Sequence, residues 1–396
     1  MTDNAVRPSA ISVFCKEPYR LFFPLGFIYA LIGSSHWIWF HLGWTEHYGA
    51  AFHGFFQIQG FGTAFAVGFL MTALPRFLET PFARVWELGT ALLLSITSTA
   101  SAVLDYSRTA DALFLALFLF VVLFAVRRFH QRKCPPPPEF VYVLSGFIHA
   151  IAGAAMILYP PDGLYKLGER MVQQGILLSF IMTFGSYLGV RLLGLHNTRV
   201  QTIEIHAGED NRFSKLKLKV MGFALIALGL FVSFWIEAAG HPVPGRVMRA
   251  LAVTLQLGVI AGLVRLPRRH FPAVYLLWLS FLFTMAGLWI SAVFPAWEPT
   301  MNHFTLIGGF GLMILIISMR VTLAHGGFEE YWLKTSAGIV LIGIGTLMAL
   351  ALRICAQFWI EHYIPILAAS AICWNIALIA WALCIVPKMA PRYIEE

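Results

Sequence analysis

The chain has 396 residues, of which 59% are hydrophobic and only 12% charged. A soluble domain carries about 25% charged residues, so the composition excludes one and points to an all-α polytopic membrane protein. The net charge of +8 reads as basic loops facing an anionic cytoplasmic leaflet, not as a nucleic-acid patch.

Residues 1–20 are polar and slightly basic and lack a short apolar core with a small-residue cleavage site, so 1–19 are expected to be a cytoplasmic N-terminal segment and not a cleaved signal. Apolar windows follow near 20–42, 49–75, 85–104, 111–128, 140–159 and 170–192. Six more fall near 217–238, 247–265, 271–295, 301–319, 335–357 and 363–386. Each approaches the roughly 20 residues that cross a ~30 Å hydrocarbon core as a helix, which predicts about twelve transmembrane helices.

They form two six-helix halves, 20–192 and 217–396, divided by a cytoplasmic loop at 193–216. That loop carries Asn197, Thr198, Arg199, Glu204, His206, Glu209, Asp210, Arg212 and Lys215. Pro135 to Pro138 form a stiff, extended stop between the fourth and fifth helices. Most Lys and Arg residues fall on one side of this topology, among them Arg76, Arg127, Arg128, Arg268, Lys334, Lys388 and Arg392. The positive-inside rule makes that side the cytoplasm and puts both termini there.

The five cysteines, Cys15, Cys134, Cys355, Cys373 and Cys384, make no C-x-x-C and no C-x-x-C-H, so any haem is held non-covalently. The 13 methionines form no tight cluster within one span, which argues against a copper-transport reading.

Histidines carry the chemical signal, because an imidazole inside a span is costly without a partner. His36 falls late in the first helix, and His53 and His303 fall early in the second and tenth, all near the outer surface. His149 is midway along the fifth. These four imidazoles on four helices are candidates to converge. His53 is followed by Gly54, Phe55, Phe56 and Gln57, and His303 by Phe304 and the glycines 308, 309 and 311. The glycines would let a neighbouring helix or a flat ligand approach the backbone.

Imidazole is the usual axial ligand of b-type haem and also suits copper. His53 and His303 are therefore the candidate haem ligands, and His36 and His149 the candidates for a second site. His53, His303 and His36 are the candidate metal ligands. Arg20, Arg320, Arg246 and Arg249 would pair with propionates or anchor the helix ends at the interface.

Carboxylates sit at helix ends, with Glu46, Glu237, Glu298 and Glu361 outside and Glu87 and Glu139 inside. With none at mid-membrane, proton pumping is not expected, and any protons consumed would enter by Glu298, Glu46 or Glu361. Gln57, Gln59, Gln173, Gln256 and Asn375 offer a rival reading, as the lining of a transport path.

Three segments resemble a signature of the NnrS family. They are His303-x₄-Gly308-x₂-Gly311-x-Met313 running to Arg320-Val321-x-Leu323-x-His325-x-Gly327, Gly68 to Pro75, and Tyr19-Arg20-Leu21-Phe22-Phe23. By that resemblance His53, His303, Arg320 and His325 match family positions. Phe55 and Phe56 stand where the family pattern has a second histidine and a glutamate, so one ligand or proton donor is missing or supplied from elsewhere.

The resemblance implies haem b, with copper as a further metal, in a bacterial inner-membrane protein acting on nitric oxide. As an enzyme it would be a nitric oxide reductase forming nitrous oxide, with electrons from quinol or a periplasmic protein. The alternatives are a non-catalytic haem or copper protein that binds or buffers nitric oxide, and a small-solute or metal transporter.

Overall fold

A computed structural model describes residues 9–161, 163–195 and 209–390, with the side chains of 209–213 excepted. The expectations placed on Asn197, Thr198, Arg199, Glu204, His206 and Arg392 lie outside the described residues, as do residues 1–8 of the N-terminal segment. So do the side chains of Glu209, Asp210 and Arg212.

The described residues form helices and no strand. After a short helix at Ala10–Lys16 come α1 (Tyr19–His41), α2 (Ala50–Leu78), α3 (Val85–Val103), α4 (Ser107–Gln131), α5 (Pro138–Leu158) and α6 (Tyr165–Leu192). Then come α7 (Ser214–Ala238), α8 (Pro242–Ile260), α9 (Pro272–Val293), α10 (Pro295–His325), α11 (Ala337–Cys355) and α12 (Ile360–Met389). Proline occupies the first turn of α8 and α9, where its fixed φ suits a helix start and no N–H is needed.

Among the described residues, eleven helices are long and apolar enough to cross a membrane. The helix outside that set is α3, whose Glu87 and run of Ser and Thr dilute its apolar content. It still has to cross. Arg20 Nη1 donates to Met389 O at 2.9 Å, which puts the start of α1 and the end of α12 at one face. Eleven crossings would leave them on opposite faces. Glu87 at the start of α3 binds Arg128 near the end of α4 at 2.5 and 2.6 Å, both side chains buried, so the two helices form an antiparallel hairpin. Removing one partner of such a buried pair costs about 3–5 kcal/mol, because the other charge is left unpaired.

Consecutive helices pack side by side, and α12 returns to pack on α1. Leu123, Leu218, Leu225 and Leu383 are 67–73% exposed, as expected where lipid and not water is the neighbour. Lipid is as apolar as these side chains, so helix association depends on close fit and on polar pairs. The glycines of α10 supply the fit: a methyl at Gly309 would collide with Thr284, one at Gly308 with Phe283, and one at Gly311 with Trp374. They seat α9 and α12 against α10.

A polar lock closes the face where α1 starts. Glu17 accepts from Arg20 Nε at 2.5 Å, Arg76 Nη2 at 3.1 Å and Tyr19 Oη at 3.3 Å, and lies 3.1 Å from His325 Nδ1. It ties α1, α2 and α10 together. Burial pushes the Glu17 carboxyl up, but the His325 hydrogen bond and the Arg20 charge outweigh it and hold the group at about 2. Arg320 pairs with Glu329 at 3.2 Å on the same face. Arg20, Arg320 and His325 are therefore engaged at the end of the bundle away from the site described next, a correction to their expected place beside a cofactor.

Candidate cofactor site

Toward the opposite face, α1, α2, α6, α10, α11 and α12 enclose a cavity of about 470 Å³. That lies within the ~300–1,000 Å³ usual for small-molecule and cofactor sites. Both halves of the chain contribute to it. Three of its walls are π-helical where they meet it: Phe56–Gly62 in α2, Met171–Gly175 in α6 and Phe304–Gly311 in α10. A π turn widens the helix and breaks its regular ladder, and such turns cluster at functional sites. Trp37, Tyr48, Phe61, Phe310, Tyr363 and Trp374 make much of the lining aromatic.

His53 and His303 both line this cavity, one just before each of two π segments. His53 Nδ1 is 2.9 Å from Gly33 O, and His303 Nδ1 is 2.8 Å from Pro299 O. A carbonyl only accepts, so each Nδ1 carries the proton and each Nε2 keeps its lone pair. Metal-binding histidines are commonly set this way, with the other ring nitrogen donating to a backbone carbonyl. No protein donor occupies either Nε2 among the described residues.

The other two imidazoles do not converge here. His36 Nε2 accepts the Gly49 N–H at 2.9 Å, and its ring packs on Trp37 and Phe52, so it braces the α1–α2 connection. His149 points Nδ1 at Ser145 O, 2.7 Å away, and its ring is wedged against Phe231 and Phe234 outside the cavity lining. Its Nε2 is buried without a partner. Phe56 is fully buried against Tyr29 and Phe52.

Glu298 lines the cavity and is 4% exposed. Arg170 binds both its oxygens, Asn302 donates to it, and Arg246 approaches to 3.9 Å. Arg246 and Arg249 are engaged by Glu237 at 3.0 and 2.7 Å, and neither lines the cavity. Glu46 and Glu361 are exposed and absent from the lining, so of the three expected proton entries only Glu298 reaches the cavity.

Sequence reading missed Arg353, Arg170, Glu169 and Tyr363, which all line the cavity. A signal for Arg353 existed: it is the one charged residue in the apolar window 335–357. Deeper in the bundle, Gly62, Leu177, Phe310 and Ile314 are shared with a second, almost wholly apolar hollow of about 100 Å³.

Fold and site together define a polytopic helical membrane protein with an imidazole-lined cavity between its helices. The chain belongs to the NnrS family, whose profile, described as NnrS protein, matches residues 13–392. The family is associated with nitric oxide responses. No curated protein matches the chain.

Proposed function

We propose that the cavity holds a b-type haem and that the protein acts on nitric oxide there. The observation that carries this is the pair His53 and His303: two imidazoles from distant parts of the chain, each tied by Nδ1 to a backbone carbonyl and each free at Nε2, in one aromatic cavity. One of them would hold the iron, with the other imidazole beside it. A bound haem would supply an iron able to bind a diatomic ligand and exchange electrons with it. Trp37, Phe61, Phe310 and Trp374 exclude water and offer flat apolar faces. The apolar hollow beside them suits an uncharged, lipid-soluble substrate.

In the enzymatic form, two nitric oxide molecules take two electrons and two protons and give one nitrous oxide and one water. The electrons come from a quinol or a periplasmic protein. Glu298 passes protons inward, because it is the one carboxylate of the expected three that borders the cavity. The basic side of the bundle, with Arg76, Arg128, Arg268 and Lys388, faces the cytoplasm of a bacterial inner membrane.

A second reading rests on the donor set. The described residues gather no group of three His, Cys, Asp or Glu side chains able to hold a metal ion. The cavity therefore does not fit a copper centre beside the haem, and a single-centre protein that binds nitric oxide without turnover is the alternative. The transport reading has less support: Gln57 and Gln173 line the cavity, but Gln59 bonds Asp111, Gln256 bonds Ser186 and Asn375 bonds Ser35 between helices, so the five do not trace one path.

The test is to purify the protein, give it nitric oxide under a reductant, and follow nitrous oxide by gas chromatography. Nitrous oxide formation supports the enzyme; a shifted haem spectrum without it supports the binder. A protein with no haem band contradicts both.

A further inference from the structure

Four arginines are buried among the described residues: Arg20, Arg128, Arg249 and Arg353. Three have a carboxylate at 2.5–2.7 Å, namely Glu17, Glu87 and Glu237. Arg353 has none. It is 9% exposed, and its one hydrogen bond among the described residues is to Thr300 Oγ1 at 3.4 Å. Tyr363 lies under its guanidinium at 5.9 Å. The carboxylates in the cavity lining, Glu169 and Glu298, make no ion pair with it, and Glu298 is already held by Arg170.

A guanidinium does not lose its proton in a protein, and burying one without a counter-charge is costly. Arg353 lines the cavity and stands close enough to His53 and His303 for its charge to act on both. The missing anion therefore belongs to what fills the cavity. The fork of N–H groups matches two oxygens held in a plane, as in a carboxylate. The surrounding walls are aromatic, so the rest of the ligand is flat and apolar.

We infer that Arg353 is the seat of a carboxylate on the edge of the bound ligand. This rests on the haem reading, under which that carboxylate is a propionate. Arg353 is then a binding residue that fixes which edge of the macrocycle faces α11.

The test uses the purified full-length protein, titrated with haem and with haem whose two propionates are methyl esters. The wild type is expected to bind the free acid about tenfold to a hundredfold more tightly, the range for charge-assisted hydrogen bonds. Arg353→Gln is expected to erase that preference while binding the ester as the wild type does. Arg353→Lys, which keeps the charge and loses the fork, should restore part of it. Helix content and elution from size exclusion report folding of each variant. Equal wild-type affinity for the two forms, or an Arg353→Gln loss shared by both, overturns the assignment and leaves the haem reading standing. A wild type that binds neither form overturns the haem reading, and this inference with it.

Discussion

The two ends of the bundle both pair carboxylates with arginines, but only the cavity end also keeps singled-out residues unpaired beside a cavity. At the face where α1 starts, Glu17 gathers Arg20, Arg76, Tyr19 and His325, and charge meets countercharge within 3.3 Å. Toward the other face, His53 and His303 each leave an Nε2 open and Arg353 leaves a buried guanidinium without a carboxylate. Both regions carry the residues that a sequence reading singles out. In the second, the bonding capacity left over belongs to residues that line the cavity. A satisfied cluster is a clamp, and an unsatisfied one beside a cavity is a site, because buried polar groups are otherwise almost always paired.

That contrast can be broken or sharpened by substitution. The largest effect is expected at the cavity rim. Glu298→Gln removes the carboxylate bound by Arg170, and a lost proton donor typically costs about a hundredfold or more in rate. Nitrous oxide formation per folded, haem-loaded protein should fall by that factor, alongside a lower unfolding midpoint, because Arg170 loses its counter-charge. Unchanged turnover would take Glu298 out of the proton route.

Next in size is the clamp. Glu17→Gln leaves Arg20 and Arg76 without their shared counter-charge, and the cost is about 3 kcal/mol, at the low end for a largely buried pair. A thermal-unfolding scan in detergent should show a lower midpoint, with haem content per folded protein unchanged. Loss of haem with no loss of stability would reverse the roles assigned to the two ends.

The smallest effect is the pH dependence of that clamp. The Glu17 carboxyl sits at about 2 against an ordinary 4.5. A depressed carboxylate contributes its stability in full above its unfolded value and loses it as pH falls toward the folded one. The gap in unfolding midpoint between wild type and Glu17→Gln should therefore be constant above about pH 4.5 and narrow from there toward pH 2. A gap that widened on acidification would contradict it.

How much of this was legible in the sequence follows from the range of each interaction. The twelve helices were, because a span must satisfy its own backbone and so writes about 20 apolar residues in a row. The window for α3, diluted by Ser and Thr, was among the weakest of the twelve. His53 and His303 were legible as candidates from their places early in two spans.

What separates them from His36 and His149 was not legible. His36 meets the backbone of Gly49 through a loop, and His149 is wedged against Phe231 and Phe234 from a helix more than 80 residues on. Neither contact leaves a local pattern. Arg353 was passed over because a single charge late in an apolar window does not tell whether it is buried, and the fold shows that it is. Arg20 and His325 were misplaced for the opposite reason: a motif tells which residues stand out, but not at which end of a bundle they are used.

The most direct test of the central claim is haem content and optical spectrum of the purified wild type, His53→Ala and His303→Ala. The account predicts a b-type haem by pyridine haemochrome in the wild type. Each single variant should lose most of that haem or show a shifted Soret band, while His36→Ala, which opens only a loop contact, should keep the wild-type spectrum. A wild type without haem, or a full and unshifted haem complement in both His53→Ala and His303→Ala, would contradict it.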